Sequence, residues 1–160
     1  MASDGSSSGF TFEGNNAPTF YKDIAILKSE GWITADGVLA PEHDAAHAHW
    51  GGQWRMPTKQ ELDDLIAKCD WSPATMNGVN GYIVRGRDDY APASIFLPCA
   101  AYGDRDFYPN IGYDGYYWSS VPDSDNEFAL NICFFPDGPS SDRYRRYEGQ
   151  SIRPVQNAAE

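Results

Sequence analysis

The chain is poor in cysteine, poor in basic residues and without a long apolar run. Its 160 residues include three cysteines, Cys69, Cys99 and Cys133, and no two share a CxxC spacing. So sparse a set excludes a disulfide framework and leaves at least one thiol unpaired within the chain. Cys69 reads as a small buried hydrophobe on a helix face, while spacing alone leaves a Cys99 to Cys133 bridge open. Lys and Arg number 12 against 23 Asp and Glu, a formal charge of −11. That field repels phosphate backbones and anionic lipid surfaces, so no nucleic-acid partner is expected. No apolar stretch approaches the roughly 20 residues that span a bilayer, and membrane insertion is not expected either. The start, MASDGSSSGF, lacks the charged and apolar regions of a secretory signal peptide. Residues 1–18 are therefore expected to be a flexible leader, with Phe10 and Phe12 as its few apolar anchors, and residues 19–160 a single domain.

What is present divides at Lys68, the last lysine. Before it the patterning is helical. Phe20, Ile24 and Leu27 recur at helical spacing from Thr19 to Glu30, and Gly31 stands where a C-terminal cap belongs. Asp36-Gly37 between two short apolar stretches predicts a tight turn. A short Ala-rich helix is expected over Glu42 to His49, ended by Gly51-Gly52. Thr58 and Glu61 form a capping box, and Leu62, Leu65, Ile66 and Cys69 follow as one buried stripe. After Lys68, short runs such as GYIV, SIFLPCA, GYYWSS, FALNICFF and SIRPV alternate with Gly-, Pro-, Asp- and Ser-rich loops, the texture of short strands in a loop-heavy sheet. The interval from Tyr102 to Gly115 has no periodicity, and a loop of that length in a compact domain is usually functional.

The segments WGGQWRMPTKQELDDLIAKCDW, SIFLPCAAY, GYDGYYWSS and RYEGQSIRPV together resemble the Fibrobacter-type major paralogous domain, over roughly residues 20–156. That family is similar in fold to the formylglycine-generating enzymes, whose RLPTEAEWE motif resembles RMPTKQELD here. The resemblance implies an α+β, C-type-lectin-like fold with two or three helices packed on a twisted, mostly antiparallel sheet with long loops. Several members are variable proteins of diversity-generating retroelements, which randomise asparagine codons of a template repeat. SDRYRRYEGQSIRPV resembles the NNNRYNGQSVRPV end of such repeats. Randomising the first two bases of an AAC or AAT codon never yields Lys, Gln, Met, Glu or Trp. From Tyr102 to Tyr147 there is no Lys, Gln or Met, the only Glu is Glu127, and the only Trp is Trp118.

The implied function is recognition without chemistry, by a hypervariable surface composed like an antibody paratope. Tyr gives contact area at low rotamer entropy, and Asp, Asn and Ser give adaptable polar contacts. The candidate contact residues are Asp104, Asp106, Phe107, Tyr108, Asn110, Tyr113, Asp114, Asn131, Cys133, Phe135, Asp137, Asp142, Tyr144 and Arg145. Trp118 and one of Tyr116 or Tyr117 are instead expected in the core. The implied partner is a protein or glycan receptor on a host or neighbouring cell, met from a phage tail or fibre tip or from a bacterial surface. The alternative is a fixed carbohydrate- or protein-binding adhesin domain of the same fold.

No catalytic residue, cofactor or metal is expected. The RGGSW-type segment of the formylglycine-generating enzymes has no counterpart, and neither EPN nor WND, the calcium-dependent sugar-binding tripeptides of animal C-type lectins, occurs. His43 and His47 have metal-ligand spacing on a helix, but a third ligand is missing and the pair reads as a solvated helix face. Asp-rich loops could hold calcium, although no complete ligand set is visible. Arg55 and Arg153 read as framework charges that pair with carboxylates.

Overall fold

A computed structural model describes residues 22–104 and 110–157. Three helices lead into the sheets, and each is set by its ends. Helix α1 (Ile24–Ser29) stops at Gly31, whose φ of +80° suits glycine. The Trp32 N–H donates to Leu27 O at 2.9 Å and the Gly31 N–H to Lys28 O at 3.2 Å, a Schellman closure. The predicted start at Thr19 lies outside the described residues. The Asp36-Gly37 turn forms, with Ile33 bridging Leu39 and Gly37 at φ +82°. Helix α2 (Ala45–Trp50) begins later than the sequence predicts, because the Asp44 carboxylate accepts from the N–H groups of Ala46 and His47. Glu42 and His43 thus precede the helix.

Helix α3 (Lys59–Lys68) carries the predicted capping box: Thr58 Oγ1 accepts from the Glu61 N–H at 3.2 Å, and Glu61 Oε2 accepts from the Thr58 N–H at 2.8 Å. Arg55 locks the same carboxylate with two bonds of 2.7 Å, which pull the Glu61 carboxyl down to about 2. Replacing Thr58 with Ala should lower stability by about 1 kcal/mol. A thermal melt that does not move would show that the cap contributes nothing. Cys69 departs from expectation. It does not extend the helical stripe; its φ of −126° and ψ of 156° begin a strand, half-buried against the core.

Among the described residues eight strands form three antiparallel sheets, and the architecture is α+β. Strand β1 (Trp54–Arg55) pairs with β8 (Val155–Gln156), tying the last described residues to the start of α3. Strands β2 (Cys69–Met76), β3 (Val79–Gly86) and β4 (Ser94–Pro98) make the second sheet in that order. The turn between β2 and β3 is Asn77-Gly78, with φ of 50° and 78°, the two left-handed residues of a tight hairpin. Strands β5 (Gly115–Pro122), β6 (Phe128–Phe135) and β7 (Gly138–Arg145) make the third.

The main core lies between the second and third sheets, with α3 closing one side. Tyr82 and Val84 of β3 and Leu97 of β4 meet Tyr117, Ile132 and Phe134, and Leu62 of α3 packs on the same cluster. Burial of each large side chain there contributes roughly 1.5–3 kcal/mol. Gly115 is dictated by this packing, since a Cβ on it would stand 2.0 Å from Phe134 Cζ. A second cluster joins Ala46 of α2, Met56 and Trp118, with Leu39 and Ile152 against it. The three cysteines are free thiols. Among the described residues no helix is long and apolar enough to cross a membrane.

Candidate binding face

Strand alternation divides β5, β6 and β7 between two faces. Tyr117, Ile132 and Phe134 point into the main core. Pairing of Tyr116 with Cys133, Trp118 with Asn131, Asn131 with Asp142 and Ala129 with Tyr144 puts those residues on the opposite face. One end of that face is roofed where Met56 and Ala46 cover Trp118. The other end is an aromatic cluster. Tyr116 packs edge-on to Tyr102 at 4.9 Å, to Tyr144 at 5.1 Å and to Phe135 at 5.9 Å between ring centroids, and Tyr102 is 5.5 Å from Tyr144. Tyr116 is buried at the centre, while Tyr102, Phe135 and Tyr144 are half-exposed around it. Burial raises the phenol pKa of all three tyrosines, so they stay protonated and present hydroxyl groups.

Carboxylates border the cluster. Asp142 and Asp137 are exposed, on β7 and in the β6–β7 turn. Asp104 and Glu148 come from two segments joined by a two-bond bridge, with the Gly103 N–H donating to Gly149 O at 2.7 Å and the Gly149 N–H to Gly103 O at 2.8 Å. In that antiparallel bridge Asp104 and Glu148 stand across from each other. Burial pushes the Glu148 carboxyl up to about 7; the Asp104 charge adds to the rise, and Arg145 opposes it. Glu148 Oε2 is buried with no hydrogen-bond partner.

This carboxyl makes stability depend on pH. An unfolded glutamate ionises near its ordinary value of about 4.3, so the folded state favours the protonated acid. The stability gained by holding it protonated is full below that value and is lost as pH rises through about 7. Glu148→Gln should therefore stabilise the protein at pH 8, by about 1 kcal/mol once solvent screening is allowed for, and should change little at pH 4. Equal effects at both pH values in chemical denaturation would contradict the assignment.

The sequence-predicted contact residues separate into groups. Tyr113 is 70% exposed, and Asn110, Asp137 and Asp142 are exposed, while Asp104, Phe135 and Tyr144 are half-buried at the cluster. Asp106, Phe107 and Tyr108 lie outside the described residues. Three others are not surface residues: Asn131 and Cys133 are 0% exposed and Asp114 is 6% exposed. Both faces of β6 are covered at Asn131 and Cys133, so alternation does not bring them to solvent. Asn131 Nδ2 instead donates to Gln150 Oε1 at 2.9 Å, and Asp114 Oδ2 accepts from Asn110 Nδ2 at 2.7 Å, fixing the 110–114 turn. Burial raises the Cys133 thiol, which has only weak contacts with Ser140. Arg145 pairs with Phe128 across the strands, on the other face, 3.8 Å from Glu127.

Sequence reading missed Tyr102 and Glu148 at the site. Both belong to segments whose only signal is membership of the SIFLPCAAY and RYEGQSIRPV motifs. Elsewhere, Arg55 is the framework charge expected, whereas Arg153 is exposed and joins no ion pair among the described residues. His43 stacks on Trp32 at 3.7 Å, and His47 Nδ1 lies 3.2 Å from Trp54 O, so neither sits on an open helix face. Among the described residues no group of three His, Cys, Asp or Glu side chains is placed to hold a metal ion.

Comparison with known proteins finds no relative. No family model matches the chain, and neither the curated proteins nor the solved structures contain a match.

Proposed function

We propose that the chain is a non-enzymatic binding module of the C-type-lectin fold, with a hypervariable contact surface diversified by a retroelement. The surface comprises the open end of the β5–β7 face and the turns beside it, from Tyr102 and Asp104 through Tyr113 to Asp137, Asp142 and Tyr144. One observation carries the reading: this sheet holds the core with one face and offers Tyr, Phe and Asp side chains with the other. A contact surface so placed can change without rebuilding the main core. The motif resemblance and the absence of Lys, Gln and Met between Tyr102 and Tyr147 support diversification at the codon level. Recognition is favoured over chemistry because the one thiol behind the face, Cys133, is buried and held protonated. In this reading the partner is a protein or glycan receptor, and the module sits on a phage tail or fibre tip or on a bacterial surface.

The test is a pooled substitution library sorted once for folding and once for binding to a ligand recovered by screening. Asp137, Asp142 and Tyr113 should be permissive in the first sort and restrictive in the second. If they prove as intolerant in the folding sort as Phe134, the contact-surface reading fails. A near-identical template repeat beside a reverse transcriptase gene would separate the diversified module from a fixed adhesin domain of the same fold.

A further inference from the structure

We propose that the ligand of this face is a basic polypeptide segment, engaged through Lys or Arg side chains that settle on the Tyr102–Tyr144 rings between the carboxylates of Asp104, Asp137, Asp142 and Glu148. The proposal rests on the binding reading above and adds the chemistry of the partner. Its first support is the way charge is distributed. Elsewhere on the molecule many acids are matched: Glu61 with Arg55, Asp63 with Lys59, Asp64 with Lys68, Asp70 with Arg87, Asp123 and Asp125 with Arg143, and Glu127 with Arg145, while Asp36, Glu42, Asp88 and Asp89 stand singly or as a neighbouring pair in loops away from any such aromatic cluster. Among the described residues no ion pair includes Asp104, Asp137, Asp142 or Glu148. Four acids without an ion pair thus share the border of one aromatic cluster; of the β7 arginines, Arg143 is engaged by Asp123 and Asp125, and Arg145, 3.8 Å from Glu127, offsets only part of the rise at Glu148.

The second support is a set of polar atoms left without partners behind that border. Asn131 is fully buried, and its Oδ1 accepts no hydrogen bond. It lies on the same face as Asp142, its pairing partner on β7. Glu148 Oε2, across the bridge from Asp104, is a second acceptor with no donor. A buried acceptor without a donor costs about 1–3 kcal/mol, and a guanidinium or ammonium reaching past Asp142 or Asp104 supplies the N–H groups that are missing. Aromatic faces and carboxylates in one site are the combination that suits a cation, by attraction to the ring quadrupole and by charge-assisted hydrogen bonds. The formal charge of −11 adds long-range steering of a basic partner. A neutral ligand could donate hydrogen bonds to these acceptors but would leave the carboxylate charges unmatched, and an acidic one would be repelled by them.

The experiment selects ligands from a random dodecapeptide phage library on the intact chain, then counter-screens the clones on Tyr144→Ala to retain those that need the face. Thermal melts establish that each variant is folded. Among retained peptides Lys and Arg should be enriched over the unselected library. Asp142→Asn and Glu148→Gln should each weaken their binding about tenfold or more, whereas Asp64→Asn on α3 should leave it unchanged. Retained peptides with no Lys or Arg enrichment would overturn the cationic partner and leave the binding face standing. No retained peptide would also overturn it. If an array of neutral glycans then gave no ligand sensitive to Tyr144→Ala, the binding face would fall as well.

Discussion

Replacing Trp118 with alanine lowers stability by about 3–5 kcal/mol, whereas Tyr113→Ala stays within about 0.5 kcal/mol. The difference follows from what each ring touches. Trp118 is 9% exposed and joins Met56 and Ala46 to the sheet, while its backbone N–H donates to Ser151 O at 3.0 Å. Removing the indole leaves a cavity at the junction of α2, β5 and the 151–152 segment, and three connections share the loss. Tyr113, at 70% exposure, has little contact to lose. Tyr144 falls between them, because it packs on the Trp118 cluster as well as on Tyr102 and Tyr116. Its truncation should cost about 1–2 kcal/mol, so it is a contact residue only in part. Chemical denaturation of the three variants checks the order, and a Trp118→Ala loss no larger than that of Tyr113→Ala would refute this account of the second cluster.

Asp44→Ala should destabilise by about 2–3 kcal/mol, through hydrogen bonds alone. Asp44 is 3% exposed, and its carboxylate accepts three backbone N–H groups: Ala46 at 2.9 Å, His47 at 3.0 Å and Met56 at 2.8 Å. Two belong to the first turn of α2 and the third to the chain entering α3, so one side chain sets both the helix and its distance from Met56. Asp44→Asn should recover part of the loss, since it keeps one acceptor oxygen but turns an NH2 group toward a donor. Hydrogen exchange at the Met56 amide gives a local readout. An Asp44→Ala protein with wild-type protection at Met56 would show that this bond is not made in solution.

Asp44 also illustrates how far the sequence could be read. Helix α3 was legible because its cap, its stripe and its wet face lie in consecutive residues, and Gly31 and Asp36-Gly37 were legible for the same local reason. Asp44 was not, since its third partner is distant in the chain and nothing in DAAHAH distinguishes a cap from a solvated acid. Strands β2 and β7 were hidden by composition. CDWSPATM carries Pro73 and no alternation, which an edge strand tolerates because one row of its N–H groups needs no partner. Its best signal was the Asn77-Gly78 turn at its end. GPSSDRYR has almost no apolar residue, yet it pairs with β6 along its whole length. At the site, aromatic and acidic residues marked the right region, but Asn131, Cys133 and Asp114 show the limit of that argument. Composition reports what a surface would use, whereas burial depends on what the rest of the chain lays over each strand.

The pleat of β7 has one more consequence, for what kinds of genetic change this protein can absorb. Asp142 and Tyr144 look outward; Ser141 hydrogen-bonds Lys59 Nζ at 3.0 Å, and Arg143 is 3.2 Å from Asp123. Insertion or deletion of a single residue in the Pro136-Asp137 turn would slide this comb by one tooth. Arg143 would then turn toward the aromatic rings and Tyr144 toward Phe128 on the opposite face. The strand can be respelled letter by letter at its outward positions, but its reading length is fixed.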